Sequence, residues 1–445
     1  VSVVGEWFCN FFFVGVISNT THNMLLLISL FYVKIIMGKK IMERLDLSII
    51  SDKERSRLFL NYLDVFFQDF RKKSFGSSYF EGNSYFNETS ITGEIDGQED
   101  SLFIRISSDL DGNLQYLEFD DNKNGAYKEK INKLIIDSLM KSLDDKNETF
   151  YRRYHYTYTG PQLDGEYWIK GTRIAPISDD TSNKTWGNIE RYFSIELNVD
   201  AIDGPDADAK GNVESDIIAA RLSLLLDVGI SAPLTEHKWC IDVSDSTNAK
   251  SKIYQTGYYG FGHDLTRMPK KKELMACGQF KNSVFPHMRY VGELLFLPCE
   301  TRKLFSKLEC AAAETKEAFN NCCFMYQIAS TSGKYSPTVR LSYLVAAIES
   351  LAQCENGKNK HFSNFIRHYA KDEIKVENIL DFMHGEVRSA HFHSGKFTGG
   401  EYNYERNSVI RFQSVESRVR DMLFRESYRL IRISIARWVN NFINS

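Results

Sequence analysis

The spacing of apolar residues changes along the chain. From Ser51 to Arg71 the set Leu58, Leu60, Leu63, Phe66, Phe67 and Phe70 recurs at helical intervals and predicts a helix. Residues 74–100 are rich in Gly, Ser and Asn and read as turns. Residues 102–106 and Leu114–Phe119 read as two strands flanking Asp111-Gly112-Asn113, which predicts a hairpin. Asp109, Asp111 and Asn113 are spaced like the first ligands of a calcium loop. The Gly stands fourth instead of sixth and no Glu stands twelfth, so the turn is the better reading. A helix is predicted from Ala126 to Leu143. Strands follow over 150–202, in Tyr151–Tyr158, Tyr167–Ile174 and Tyr192–Val199. Asp203 to Gly211 reads as a loop. Val213 to Val228 reads as an amphipathic helix through Ile217, Ile218, Leu222, Leu225 and Leu226. Two more strands are predicted at 236–243 and 251–258. The segment 259–272, with Gly260, Gly262, Pro269 and Lys270-Lys271-Lys272, reads as a linker.

Beyond that linker the strand pattern stops. Helices are predicted around 284–297, 301–330, 338–354, 361–371, 376–392 and 413–443. The last carries Val415, Val419, Leu423, Tyr428, Ile431, Ile435, Trp438 and Phe442 on one side. On its polar side stand Arg418, Arg420, Arg425, Arg429, Arg432 and Arg437. The expected class is α+β, a mixed α/β N-terminal region followed by an all-α helical bundle. With 445 residues, the chain exceeds the roughly 250–300 at which single cores stop growing. We therefore divide it into an apolar extension (1–45), an α+β sensor or regulatory region (46–270) and a helical domain (275–445).

The extension is unusual. Residues 7–37 are strongly apolar, but Asn19-Thr20-Thr21-His22-Asn23 interrupts them and the first basic residue is Lys34. That is neither a signal peptide, which needs a positive start, nor an unbroken span of about 20 apolar residues. The expected reading is a translated upstream stretch, with Met37 or Met42 as the natural start, or a poorly ordered tail. No stable membrane association is expected.

Composition adds little until it is divided. Net charge is −3, with 43% hydrophobic and 25% charged residues, as in ordinary globular proteins. Residues 271–445 hold 25 Lys and Arg against 18 Asp and Glu, a net of +7. Residues 1–270 hold 30 against 40, a net of −10. The two parts are therefore suited to different partners, and the basic one is compatible with a polyanion. The eight cysteines include no C-x-x-C pair and are too sparse for a disulfide scaffold, so reduced thiols in a cytoplasmic protein are expected. Four N-x-[ST] matches, at Asn19, Asn87, Asn147 and Asn183, are what an Asn-rich chain produces by chance.

The chemistry-bearing motif lies in residues 387–395, Val-Arg-Ser-Ala-His-Phe-His-Ser-Gly. It contains R-x4-H as Arg388 and His393 and closes a predicted helix, with Gly395 suited to a helix stop. An apolar helix upstream, Leu341, Leu344, Val345, Ile348 and Leu351, carries Glu349. His384, His391 and His393 with Glu386 form no recognised metal spacing, and no cofactor is expected.

This arrangement, over about residues 300–445 and most sharply over 340–395, resembles the HEPN superfamily and most closely its Apea-like group. Ser394 between His393 and Gly395 is a small departure from the group's pattern. The resemblance implies a metal-independent endoribonuclease leaving a 2′,3′-cyclic phosphate, with a prokaryotic toxin or anti-phage (abortive infection) role. By that resemblance Arg388 is the phosphate cation and His393 the base, with Ser389, Glu349 and His391 in support. Arg418, Arg425, Arg429 and Arg432 would contact RNA. A His works as a base near neutral pH because its pKa lies there, and Arg can hold two phosphate oxygens at once.

Helical geometry separates residues five apart by about 140°. Either the helix unwinds before His393, or the pair acts with the same pair from a second copy. HEPN proteins take the second route, which implies a homodimer, with RNA as partner and a trigger or regulator at the N-terminal region. The alternative is a catalytically silent HEPN module that dimerises or binds a partner, with Arg388 a structural ion pair to Glu349.

Overall fold

The structure is a computed structural model. It describes residues 33–37, 40–50, 53–68, 71–95, 98–121, 128–143, 148–177, 185–186, 190–233, 237–242, 247–248, 250–255, 263–270, 294–402 and 414–445. Residues 1–32, the Lys271-Lys272 end of the expected linker and the expected helix up to residue 293 lie outside these. The class is α+β, and contacts divide the chain into two units, up to Lys146 and from Asn147.

The first unit is one six-stranded antiparallel sheet with two helices. Its strands are β1 (Val33–Met37), β2 (Lys40–Asp46), β3 (Arg71–Glu81), β4 (Ser84–Ile95), β5 (Gln98–Asp109) and β6 (Leu114–Asp121), in the order β1-β2-β6-β5-β4-β3. Helices α1 (Lys53–Gln68) and α2 (Lys128–Ser142) bury Phe59, Leu63, Phe67, Ile131, Ile135 and Leu139 with Ile91, Leu102, Ile104, Leu117 and Phe119 of the sheet.

Two expectations fail in this unit. Residues 74–100 are not turns: they form β3, β4 and the start of β5, in register from Ser74↔Ile91 to Glu81↔Ser84. β3 exposes every residue from Lys73 to Glu81, Phe75 and Phe80 among them, so no alternation of buried and exposed positions marked it. Residues 33–45 are not a loose extension, because β1 and β2 pair with each other and β2 with β6. The hairpin at 109–113 is a turn as expected. Asp109 Oδ1 accepts from the Asp111 and Asn113 amides at 3.0 and 2.8 Å. Gly112 supplies the left-handed φ of +87°.

The second unit carries a sheet in the order β13-β7-β12-β10-β9. These strands are β7 (Glu148–Thr159), β9 (Tyr167–Ile169), β10 (Thr172–Ile177), β12 (Glu190–Ala201) and β13 (Ile230–Ser231), while the short β8 (Gln162–Leu163) and β11 (Thr185–Trp186) pair elsewhere. Helix α3 (Gly204–Leu226) lies against β12 and β7. The expected loop at 203–211 is its first two turns. Asp203 caps it by accepting from the Asp206 amide at 2.8 Å, and Pro205 suits the first turn. Gly211 misled the sequence reading because it looks like a breaker. A Cβ there would lie 2.1 Å from the Tyr154 hydroxyl, so close packing on β7 requires glycine.

The helices that follow share one core with this sheet. They are α4 (Thr301–Cys310), α5 (Ala313–Ser330), α6 (Pro337–Ala352), α7 (Phe362–Ala370), a motif helix and the terminal helix (Val415–Asn444). Leu222 and Leu225 of α3, Phe319 and Cys322 of α5, Ile348 of α6 and Trp438 of the terminal helix belong to the same buried cluster. No boundary therefore falls at 259–272. His263–Leu265 of that segment is itself a strand on β7. The helix expected at 301–330 breaks where Ala311 and Ala312 are extended, a break that alanine's own helix preference does not supply. Residues 294 and 295 pair as a strand with Gln162–Leu163 and are not helical.

Cys310, Cys322, Cys323 and Cys354 are free, but Cys299 is disulfide-bonded, so the thiols are not reduced throughout. Spacing in sequence does not reveal which cysteines meet in space. Among the described residues, no helix is long and apolar enough to cross a membrane.

Candidate active site

The motif helix is built in three pieces: Ile379–Asp381 is α-helical, Phe382–Ser389 is π-helical and Ala390–Ser394 is α-helical again. Phe382, Met383 and Val387 turn into the core and fix the helix against α6. His384 and Arg388, four residues apart, share another face and meet Glu349 of α6. Arg388 Nη2 lies 2.9 Å from Glu349 Oε2, and His384 Nε2 lies 3.2 Å from Oε1. The Arg388 guanidinium also sits 5.5 Å from the Phe392 ring centre. Its Nε is buried and has no hydrogen-bond partner among the described residues. Such an unmet donor is uncommon in a finished interior and calls for an acceptor.

The helix does not unwind before His393. It continues to Ser394 and stops at Gly395, whose φ of +62° and ψ of 20° form the left-handed stop expected from sequence. His393 is exposed in the last turn, and no contact joins it to Arg388 or Glu349. His391 faces the turn beyond the stop, with Nδ1 3.3 Å from the Lys396 carbonyl. Ser389 is half-buried. The structure thus unites Arg388 with Glu349 and leaves His393, His391 and Ser389 outside that cluster.

The expected RNA contacts separate into two kinds. Arg418 and Arg425 are exposed on the terminal helix. Arg429 is clamped, with Nη1 2.7 Å from Glu373 Oε2 and Nε 2.9 Å from Glu426 Oε2. Arg432 is 2% exposed and is no surface contact at all. It donates to the carbonyls of Leu224 and Leu225 at the end of α3 and to the Tyr326 hydroxyl. The arginine stripe looked continuous in sequence, but from Leu430 onward nearly the whole helix circumference is buried.

Beside the Glu349 cluster lies a cleft of about 410 Å3 lined by Glu349, Gln353, Lys360, His361, Phe362, Ser363 and His384. His384 and Phe362 are in ring contact at its wall, 5.7 Å apart. Sequence reading assigned no role to Lys360, His361 or Phe362. The four-residue step from His384 to Arg388 is the signal that ties His384 to Glu349. Among the described residues, no three His, Cys, Asp or Glu side chains are grouped as metal ligands would be.

Comparison with known proteins gives no match: no family model, no curated protein and no solved structure is similar to the chain.

Proposed function

We propose that the chain is a metal-independent endoribonuclease of the HEPN type. In this reading it works in the cytoplasm as a homodimer and serves as a toxin or anti-phage effector. The observation that carries the reading is the unbroken helix from Arg388 through Ser394. It sets the cation and the exposed His393 on different faces, π-helical to Ser389 and α-helical beyond, and in this reading a second copy meeting the first across a two-fold axis completes the pair. The unmet Nε of Arg388 and the basic balance of residues 271–445 support a phosphate as the missing acceptor.

In the proposed reaction neutral His393 takes the proton of the 2′-hydroxyl. The 2′-oxygen attacks the phosphorus, Arg388 holds the charge that gathers on the phosphorane oxygens, and the P–O5′ bond breaks as the 5′-oxygen takes a proton from solvent water, the imidazolium of His393 returning its own proton to solvent. A 2′,3′-cyclic phosphate remains. Glu349 aims the Arg388 fork until a phosphate competes for it. Arg418 and Arg425 flank the site as phosphate contacts, so affinity for RNA falls steeply with salt. Residues 33–143 form the separate unit on which a trigger would act.

One observation favours a second reading. Glu349 accounts structurally for both Arg388 and His384, as it would in a silent module that only dimerises or binds. Incubation of the purified protein with RNA in EDTA separates the two. Cleavage with cyclic-phosphate ends supports the enzyme; intact RNA, or cleavage only with added Mg²⁺, supports the module.

A further inference from the structure

The motif helix ends in a strip of rings with no role in the chemistry above. Tyr343 and Phe392 lie 5.6 Å apart, Phe392 and His391 5.4 Å, His391 and Phe397 5.1 Å, and Phe397 and Tyr402 5.2 Å. Three of these rings are open to solvent: Tyr402 is 81% exposed, Phe392 44% and Phe397 38%. Folding normally hides such residues, so a chain of them on the surface needs an occupant.

The strip is rigid. Gly395 stops the helix, and the Lys396 amide bonds back to the Ala390 carbonyl at 3.2 Å. Glu401 then pins the turn to the start of α6. It accepts from Ser336 Oγ and the Thr338 amide at 2.7 Å each, and from Thr338 Oγ1 at 3.0 Å. The Gly399 amide donates to Thr338 Oγ1 at 2.7 Å, and a Cβ at Gly399 would lie 3.0 Å from Pro337. Phe397, between these anchors, therefore loses little freedom on binding.

Charge selects the occupant. From His391 to Tyr402 the one acidic residue is Glu401, and its carboxylate is spent on α6. The cations around the rings are Lys396, exposed between His391 and Phe397, and Arg388 over Phe392. A polyanion with flat faces meets both features: its bases stack on the rings and its phosphates meet the cations. Bases already paired in a duplex offer no face to such a strip.

We propose that His391, Phe392, Phe397 and Tyr402 form a stacking bed for the unpaired bases of single-stranded RNA beside the Arg388 site. The proposal rests on the reading of this surface as one that meets RNA, and it names the strand state that the surface selects.

The test uses the full chain and a labelled oligouridine with 2′-O-methyl riboses, which this chemistry cannot cut, against a blunt RNA duplex of the same backbone. Wild-type protein should bind the single strand more tightly than the duplex. Phe397→Ala and Tyr402→Ala should each lower single-strand affinity roughly 5- to 100-fold, while Phe397→Tyr and Tyr402→Phe keep it. Sedimentation should show the same assembly state for every variant. Alanine variants that bind like wild type, or a wild type that binds no oligouridine, would overturn the stacking bed. Variants that fall to monomers and lose binding in step would make the strip a seam between copies and also overturn it. Binding lost with the rings in a protein that cuts no unmodified RNA would keep the bed and end the ribonuclease reading. Equal binding and equal cutting by all variants would do the reverse.

Discussion

Replacing Arg432 with Met tests whether this arginine is a core residue or a phosphate contact. Methionine keeps much of the stem volume and removes the guanidinium. The group is 2% exposed and donates to the carbonyls of Leu224 and Leu225. Both carbonyls lie in the last turn of α3, where no helical amide follows to satisfy them. A buried carbonyl left unmet costs about 1–3 kcal/mol, and two of them, less what methionine regains by packing, come to about 3 kcal/mol. With a urea dependence of about 3 kcal/mol per molar, the midpoint should fall by about 1 M. Tryptophan fluorescence is a suitable probe, because four of the five tryptophans, Trp168, Trp186, Trp239 and Trp438, belong to the second unit. Arg425→Met, on the exposed part of the same helix, is the control and should move stability by no more than about 0.5 kcal/mol. Equal midpoints for the two variants would refute the burial argument.

Gly211→Ala should destabilise the second unit by about 1–3 kcal/mol, because its Cβ meets the Tyr154 hydroxyl; Tyr154→Phe in the same chain should return part of that loss in a double-mutant cycle. Burial pushes the Glu401 carboxyl up, but hydrogen bonds from Thr338 and Ser336 outweigh it and hold the group below the ordinary carboxylate range. Its contribution is thus complete above the unfolded pKa of about 4.3 and lost as pH falls through the lower folded value. Urea midpoints taken between about pH 6 and pH 3 should therefore fall less steeply for Glu401→Gln than for wild type, and parallel curves would contradict the sign. His391→Ala should reduce RNA cleavage less than His393→Ala; the opposite order in a gel assay would remove His393 as the base. Arg388→Ala mixed with His393→Ala should regain some cleavage, since a heterodimer keeps one intact Arg and one intact His on opposite chains.

Much of the fold was legible where one face of an element is buried. Leu63 and Phe67 mark α1, and Ile218, Leu222 and Leu225 mark α3, because each set meets a core at helical spacing. Strand β3 was not legible, since Phe75 and Phe80 face solvent and the ladder is made by backbone groups that every residue shares. The start of α3 was hidden by Gly204, Pro205 and Gly211, which punctuate a sequence but here serve a first turn and a close approach to Tyr154. At the site, Arg388, Glu349 and the Gly395 stop followed from the motif and its helix. The π-helical middle carried no periodic signal. The loss of Arg432 to the core was equally invisible, because an arginine's partners in distant α3 are set by packing alone.

Cleavage by Arg388 and His393 without a metal is what defines the proposed enzyme. The direct measurement is the rate of RNA cleavage in EDTA for wild type, Arg388→Ala and His393→Ala, each first checked for an unchanged urea midpoint. Wild type should cut and leave 2′,3′-cyclic phosphate ends, and each variant should be slower by roughly 10²–10⁴-fold. Folded variants that cut as fast as wild type, or a wild type that cuts only once Mg²⁺ is restored, would contradict it.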